Sequence, residues 1–173
     1  MPVVPPSVPC EVAGGWYIIE VTMEPTQYGM TTQANRPAGH SAAQARTTIL
    51  LADDSSAMLY EVSTFLQTDF DVVATVSDGA AAVKQIADLQ PDVIILDIAM
   101  PLLNGIEVAH EIRRRGLSPK IIFLSVEQDR DYVDAAAQIG ASYVVKSRMR
   151  SDLILAIKET LDGRIFLSVP CQS

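Results

Sequence analysis

Val93-Ile94-Ile95-Leu96-Asp97-Ile98-Ala99-Met100-Pro101-Leu102-Leu103-Asn104-Gly105 is the stretch that decides the fold. Four apolar residues without alternation read as a strand covered on both faces. The run ends in a carboxylate, Asp97, and enters a loop of turn formers, Pro101, Asn104 and Gly105. A carboxylate at the tip of a buried strand is held in place while its oxygens stay available.

The same design recurs on either side. Thr48-Ile49-Leu50-Leu51-Ala52 runs into Asp53-Asp54, Ile121-Ile122-Phe123-Leu124 into Ser125, and Ser142-Tyr143-Val144-Val145 into Lys146. Strands are expected at about 47–52, 71–76, 92–97, 120–125 and 142–146. Helices are expected at about 56–67, 79–89, 105–115, 129–139 and 150–162. Met58, Leu59, Val62, Phe65 and Leu66 share one face at the helical period, as do Leu153, Ile154, Ile157 and Leu161. Strict alternation with short connections predicts a five-stranded parallel sheet in a three-layer α/β sandwich. Ligands of open parallel sheets bind at the carboxyl ends of the strands. Asp53, Asp54, Asp97, Ser125 and Lys146 are all expected there.

The chain has 173 residues, 49% hydrophobic content and a net charge of -8. That charge argues against non-specific nucleic-acid binding, which needs a basic surface. No apolar run is long enough for a membrane span, and the start lacks a signal-peptide pattern. Cys10 and Cys171 form no disulfide framework and read as free thiols of a cytoplasmic protein. Residues 1–46 hold six of the ten prolines and read as a flexible extension. Within them Trp16-Tyr17-Ile18-Ile19-Glu20-Val21-Thr22-Met23 has strand-forming residues. A place on a sheet edge stays open for it, but the extension is expected to be a tail. The domain is expected over 47–165, with a short C-terminal tail at 166–173.

Three clustered carboxylates repel and call for a cation. Hard oxygen ligands with open positions suit Mg²⁺. Asp53, Asp54 and Asp97 are the candidate metal ligands. Asp97 is the candidate nucleophile, because a carboxylate can form an acyl phosphate. Lys146 and Ser125 would take the remaining phosphoryl oxygens, by charge and by hydrogen bond. Taken singly, each group has a plainer reading. Asp54, Ser55 or Ser56 could cap a helix, Asp97 could open a turn, and Lys146 could be a solvated surface charge. The set in this order is far more specific than its members. Arg113-Arg114-Arg115 reads as a helix end that favours positive charge, and His110 as a surface residue.

Asp53-Asp54, Asp97 with Met100-Pro101 and Asn104-Gly105, Ser125, and Tyr143 with Lys146 together resemble the receiver domain of bacterial two-component response regulators. The resemblance covers roughly residues 47–165. It implies the flavodoxin-like strand order 2-1-3-4-5. It implies phosphorylation of Asp97 by a phosphohistidine on a sensor histidine kinase or a histidine phosphotransfer protein, with Mg²⁺. The backbone carbonyl of Ala99 would be a further metal ligand. Ser125 and Tyr143 would be the switch pair, the ring turning inward as the hydroxyl moves to the phosphoryl group. The protein would be a phosphoacceptor, not an enzyme with a separate substrate. Self-association would use helix 4, strand 5 and helix 5, or helices 1 and 5.

Ser125 replaces the commoner threonine, Ala99 offers no polar side chain, and Glu127 stands near the site entrance. Ser147 replaces a frequent proline. The segments Gly140–Lys146 and Asp162–Ser168 look most like the NarL/FixJ-type subgroup, whose DNA-binding domain has no counterpart in these residues. DNA binding is therefore not carried over. A phosphate-independent interaction module on the same fold is one alternative. An aspartyl-phosphate phosphatase is a weaker one, since its Asp-x-Asp motif follows the first strand.

Overall fold

Thr48–Ala52 (β2), Val93–Leu96 (β4), Lys120–Ser125 (β5) and Ser142–Val145 (β6) lie side by side, buried along nearly their whole length. The computed structural model describes residues 16–20, 46–126 and 130–168. The remaining elements are β1 (Tyr17–Glu20), α1 (Ser56–Leu66), β3 (Asp71–Val76), α2 (Gly79–Leu89), α3 (Gly105–Arg114), α4 (Arg130–Gln138), α5 (Met149–Leu161) and β7 (Arg164–Leu167). A 3₁₀ turn, Lys146–Arg148, separates β6 from α5.

Side chains alternate across the strands and feed two apolar layers. Leu50 and Ala52 face Val83 and Ile86 of α2, Val108 and Ile112 of α3, and Val133 of α4. Ile49 and Leu51 face Val62 and Leu66 of α1 and Leu153 and Ile157 of α5. Each fully buried aliphatic side chain stabilises the fold by roughly 1.5–3 kcal/mol. Helices start where short polar side chains satisfy free amides. Ser55 accepts from Met58 N at 3.3 Å, and Asp78 from Ala81 N at 2.8 Å. Asn104 and Glu107 form a reciprocal capping box. The cap of α1 is thus Ser55, which leaves Asp54 to the site.

The sheet order is β1-β7-β6-β5-β4-β2-β3. The expected count of five strands is therefore too small, because seven are present among the described residues. Residues 17–20 are an edge strand and not a tail. β1 pairs antiparallel with β7, Tyr17 opposite Leu167 and Glu20 opposite Arg164. β7 lies parallel to β6, Tyr143 opposite Leu167, and carries the domain past the expected boundary at residue 165.

Side chains anchor this added ribbon. Trp16 stacks on the buried ring of Phe166, centroids 5.7 Å apart. Ser142 Oγ accepts from Phe166 N at 3.0 Å and lies 2.6 Å from Thr160 Oγ1. Ser168 N donates to Tyr143 O at 2.8 Å, and the Ser168 hydroxyl donates to Asp152 Oδ2. No helix among the described residues is long and apolar enough to cross a membrane. Residues 1–15, with Cys10, and 169–173, with Cys171, lie outside the described residues, as do 21–45.

Candidate functional site

Backbone register brings the acidic tips together. Ala52 pairs with Leu96, and Leu96 with Phe123. The ladder continues one residue beyond the strands, Asp97 N donating to Ala52 O at 2.8 Å and Asp53 N to Val76 O at 3.1 Å. Asp53 and Asp97 therefore leave neighbouring strands at one level, each 4% exposed. Asp54 follows and is exposed. One carboxylate oxygen from each of Asp53, Asp54 and Asp97 falls within 4.8 Å of the others.

Lys146 closes the group. Its Nζ donates to Asp97 Oδ2 at 3.0 Å and stands 2.6 Å from Asp53 Oδ2. That second contact is an ion pair, and the buried Asp53 Oδ2 accepts no aligned hydrogen bond. Asp53 Oδ1 accepts from Ser55 N at 2.9 Å, and Asp97 Oδ1 from Ala99 N at 3.3 Å.

The loop after Asp97 depends on a missing side chain. A Cβ on Gly105 would sit 2.4 Å from Asp97 O. Only glycine lets the first turn of α3 approach the Asp97 backbone so closely. Gly105 N also donates to Ile98 O at 3.0 Å, which ties the loop shut.

Burial is the largest influence on Asp53 and pushes its carboxyl above the ordinary range, against the nearby Lys146. Met58 and Val62 of α1 and Leu124 of β5 help wall this side of the site. Burial acts on Lys146 in the opposite sense and lowers its pKa. The two carboxylates outweigh it, so the ammonium is held protonated. Three carboxylates against one ammonium leave excess negative charge in a partly dry pocket. A buried carboxylate oxygen without an aligned donor adds to the demand for a cation. The all-oxygen donor set fits a hard divalent ion such as Mg²⁺.

The other expected site residues fall as follows. Ser125 is fully buried at the end of β5, opposite Val145 and one position from Lys146. Ala99 touches Asp97 through its amide. Glu127 lies outside the described residues. Tyr143 is fully buried, in the layer that includes Val133, Val145 and Leu167. An inward turn of this ring therefore has no exposed starting point in this structure. The arginine run is engaged in local contacts. Arg114 and Arg115 bond Glu111, holding its carboxyl down to about 2, and Arg113 donates to Ile139 O at 2.9 Å.

The sequence pattern of the response regulator receiver domain matches residues 49–158. The chain belongs to this family. The receiver is 34% identical to the transcriptional regulatory protein DegU of Brevibacillus brevis, over 69% of this chain and 52% of that protein. It is 33% identical to the nitrate/nitrite response regulator protein NarL of Escherichia coli strain K12, over 72% of this chain and 59% of the relative. The receiver thus matches little more than half the length of these relatives. It is similar in structure to a LuxR-family DNA-binding response regulator from Staphylococcus aureus. There the TM-score is 0.63 at 30% identity, over 66% of this chain and 98% of the other.

Two parts of the receiver's surroundings were not read from sequence. The close approach of Gly105 to Asp97 needs the folded loop, although an Asn-Gly pair at a helix start hints at it. The buried Asp152 and Ser168 meet the half-exposed Arg148 beside the site: Arg148 Nε donates to Asp152 Oδ2 at 2.8 Å, the oxygen Ser168 also uses. An i, i+4 Arg–Asp pair was visible in the sequence, but its link to residue 168 was not.

Proposed function

We propose that this receiver is a phosphorylation-dependent switch. Asp97 accepts a phosphoryl group from a phosphohistidine on a sensor histidine kinase or a histidine phosphotransfer protein. The observation that carries this is the placing of Asp97: a fixed, nearly buried carboxylate with Lys146 3.0 Å away and two more carboxylates beside it.

In the step proposed, a carboxylate oxygen of Asp97 bonds to phosphorus as the phosphorus–nitrogen bond to the donor imidazole breaks. The electron pair leaves with the imidazole, which takes up a proton. The geometry asks little more than alignment and charge neutralisation. Asp53, Asp54, Asp97 and the Ala99 carbonyl would hold Mg²⁺, which when bound neutralises charge on the phosphoryl oxygens. Lys146 takes a second phosphoryl oxygen. Ser125, one residue off in register, supplies a hydroxyl to a third. The receiver works as a phosphoacceptor, with no separate substrate. The buried Tyr143 acts as a packing partner that senses movement of Ser125.

Self-association through α1 and α5 is better supported than through α4, β6 and α5, because β7 occupies the outer edge of β6. With a net charge of -8, no direct nucleic-acid contact is proposed for this chain.

The test is to incubate the protein with acetyl phosphate and Mg²⁺ and record intact mass beside Asp97→Asn. A Mg²⁺-dependent gain of one phosphoryl group, absent from the variant, supports the switch. A folded protein that gains none points to a phosphate-independent interaction module. Full labelling of Asp97→Asn would remove Asp97 from the role.

A further inference from the structure

β1, β7 and the buried Asp152 have no part in the phosphoryl chemistry, yet they connect to it. Asp152 lies in the first turn of α5 and is 3% exposed. Its Oδ2 accepts from two places at once, Arg148 Nε at 2.8 Å and the Ser168 hydroxyl. Arg148 ends the 3₁₀ turn that Lys146 begins. Ser168 directly follows β7, and its amide is bound to Tyr143 O at 2.8 Å. One carboxylate oxygen therefore joins the loop carrying the site lysine to the end of the strand on which β1 docks.

We infer that β1 is a strap whose docking on β7 is set by the phosphoacceptor site through Lys146, Arg148, Asp152 and Ser168. The inference rests on the reading of Asp97 as phosphoacceptor. Lys146 now spans two carboxylates. A phosphoryl group brings about two negative charges and three strong acceptor oxygens, and it draws the ammonium off Asp53. Only Ser147 and Arg148 lie between Lys146 and the start of α5, so its shift reaches Arg148. A buried carboxylate that loses its cation is costly, and Asp152 relieves the loss by turning or taking up water. Ser168 then loses its acceptor, and β7 loosens where it meets Tyr143.

The ribbon is built to respond. β7 meets β6 in a single registered pair. β1 is four residues long and is held by its pairing to β7 and by the packing of Trp16, Ile18 and Ile19. Short edge elements with few buried contacts open at the least free energy.

Trp16 is the chain's one tryptophan, so its fluorescence reports β1 alone. The full-length protein is treated with acetyl phosphate and Mg²⁺, and emission and intact mass are read on the same sample. The expected result is a red shift of Trp16 emission that tracks the phosphoryl gain. A full phosphoryl gain with unchanged emission overturns the inference. No phosphoryl gain removes the reading of Asp97, and the trigger with it.

A second arm needs no phosphoryl donor. Ser168→Ala is expected to red-shift Trp16 while keeping the wild-type far-ultraviolet circular dichroism; wild-type emission would break the link between Asp152 and β1. Arg148→Met cuts the same link from the site side at a half-exposed position. Its Trp16 emission is expected to stop responding to phosphorylation. A wild-type response there would equally overturn the coupling.

Discussion

Lys146 Nζ lies 2.6 Å from Asp53 Oδ2 and 3.0 Å from Asp97 Oδ2, one ammonium spanning two carboxylates from different strands. It is a counter-ion shared by the two side chains. Lys146→Ala should therefore destabilise the metal-free protein by about 3 kcal/mol, the lower end of the cost of stranding a buried charge, since the pocket mouth is open. Added Mg²⁺ should recover part of that loss if, as proposed, Asp53, Asp54 and Asp97 hold it. Urea unfolding with and without Mg²⁺ measures both effects. Equal stability of variant and wild type in metal-free buffer would show that the ammonium is not needed there.

Gly105→Ala should act on the site without touching a charged group. The new Cβ would stand 2.4 Å from Asp97 O, so the loop or α3 must move. Such overpacking costs about 1–3 kcal/mol, and the displaced Asp97 should accept phosphoryl more slowly. The rate of mass gain from acetyl phosphate, beside a thermal melt, tests this. A variant that matches wild type in both would mean the loop yields freely.

Asp152 predicts an acid limit on stability. Burial, the largest single influence, raises its carboxyl, but hydrogen bonds from Arg148, Ser151 and Ser168 outweigh it and hold the pKa below its ordinary 3.8. A lowered carboxylate stabilises the fold above the unfolded value, and that contribution fades as pH falls through the folded value. Asp152→Asn should be less stable than wild type at pH 7, with the gap narrowing below pH about 4. Denaturation curves at a series of pH values give the answer. A gap that stays constant down to pH 3 would assign the loss to packing instead of charge.

Deleting residues 1–45 should lower the melting temperature. It removes the ring stacked on Phe166 and bares the edge of β7. Aromatic pairs contribute about 0.5–1.5 kcal/mol beyond the area they bury, and an uncovered strand edge invites pairing with other chains. The shortened protein should also self-associate more at high concentration, which sedimentation velocity detects. An unchanged melt and a monomeric profile would return these residues to the role of a passive tail.

The elements from Thr48 to Leu161 were legible from local signatures: apolar runs at β2, β4, β5 and β6, helical periodicity at α1 and α5, and the regular alternation of strands and helices. Asp53, Asp97 and Lys146 were legible for the same reason, standing at strand ends that a parallel sheet aligns. β1 carried strand-forming residues, but its partner is far along the chain, Ile18 lying opposite Phe166. No local pattern names such a partner. β7 follows α5 after a two-residue turn and is only four residues long, so it read as the start of a tail. Its fixing by Ser142, Thr160 and Asp152 depends on where side chains point, which spacing alone does not give.

The antiparallel pairing of β1 with β7 also sets a direction of travel. Tyr17 lies opposite Leu167, and Leu167 lies level with Tyr143, three residues before Lys146. The start of β1 and the end of β7 are therefore neighbouring points, both level with the end of the sheet that bears the acidic cluster. Cargo attached at either point starts at the same end of the sheet as Asp97, three or four strand spacings of about 4.8 Å away. A donor and acceptor dye placed at those two positions would form a close pair whose separation follows the ribbon directly.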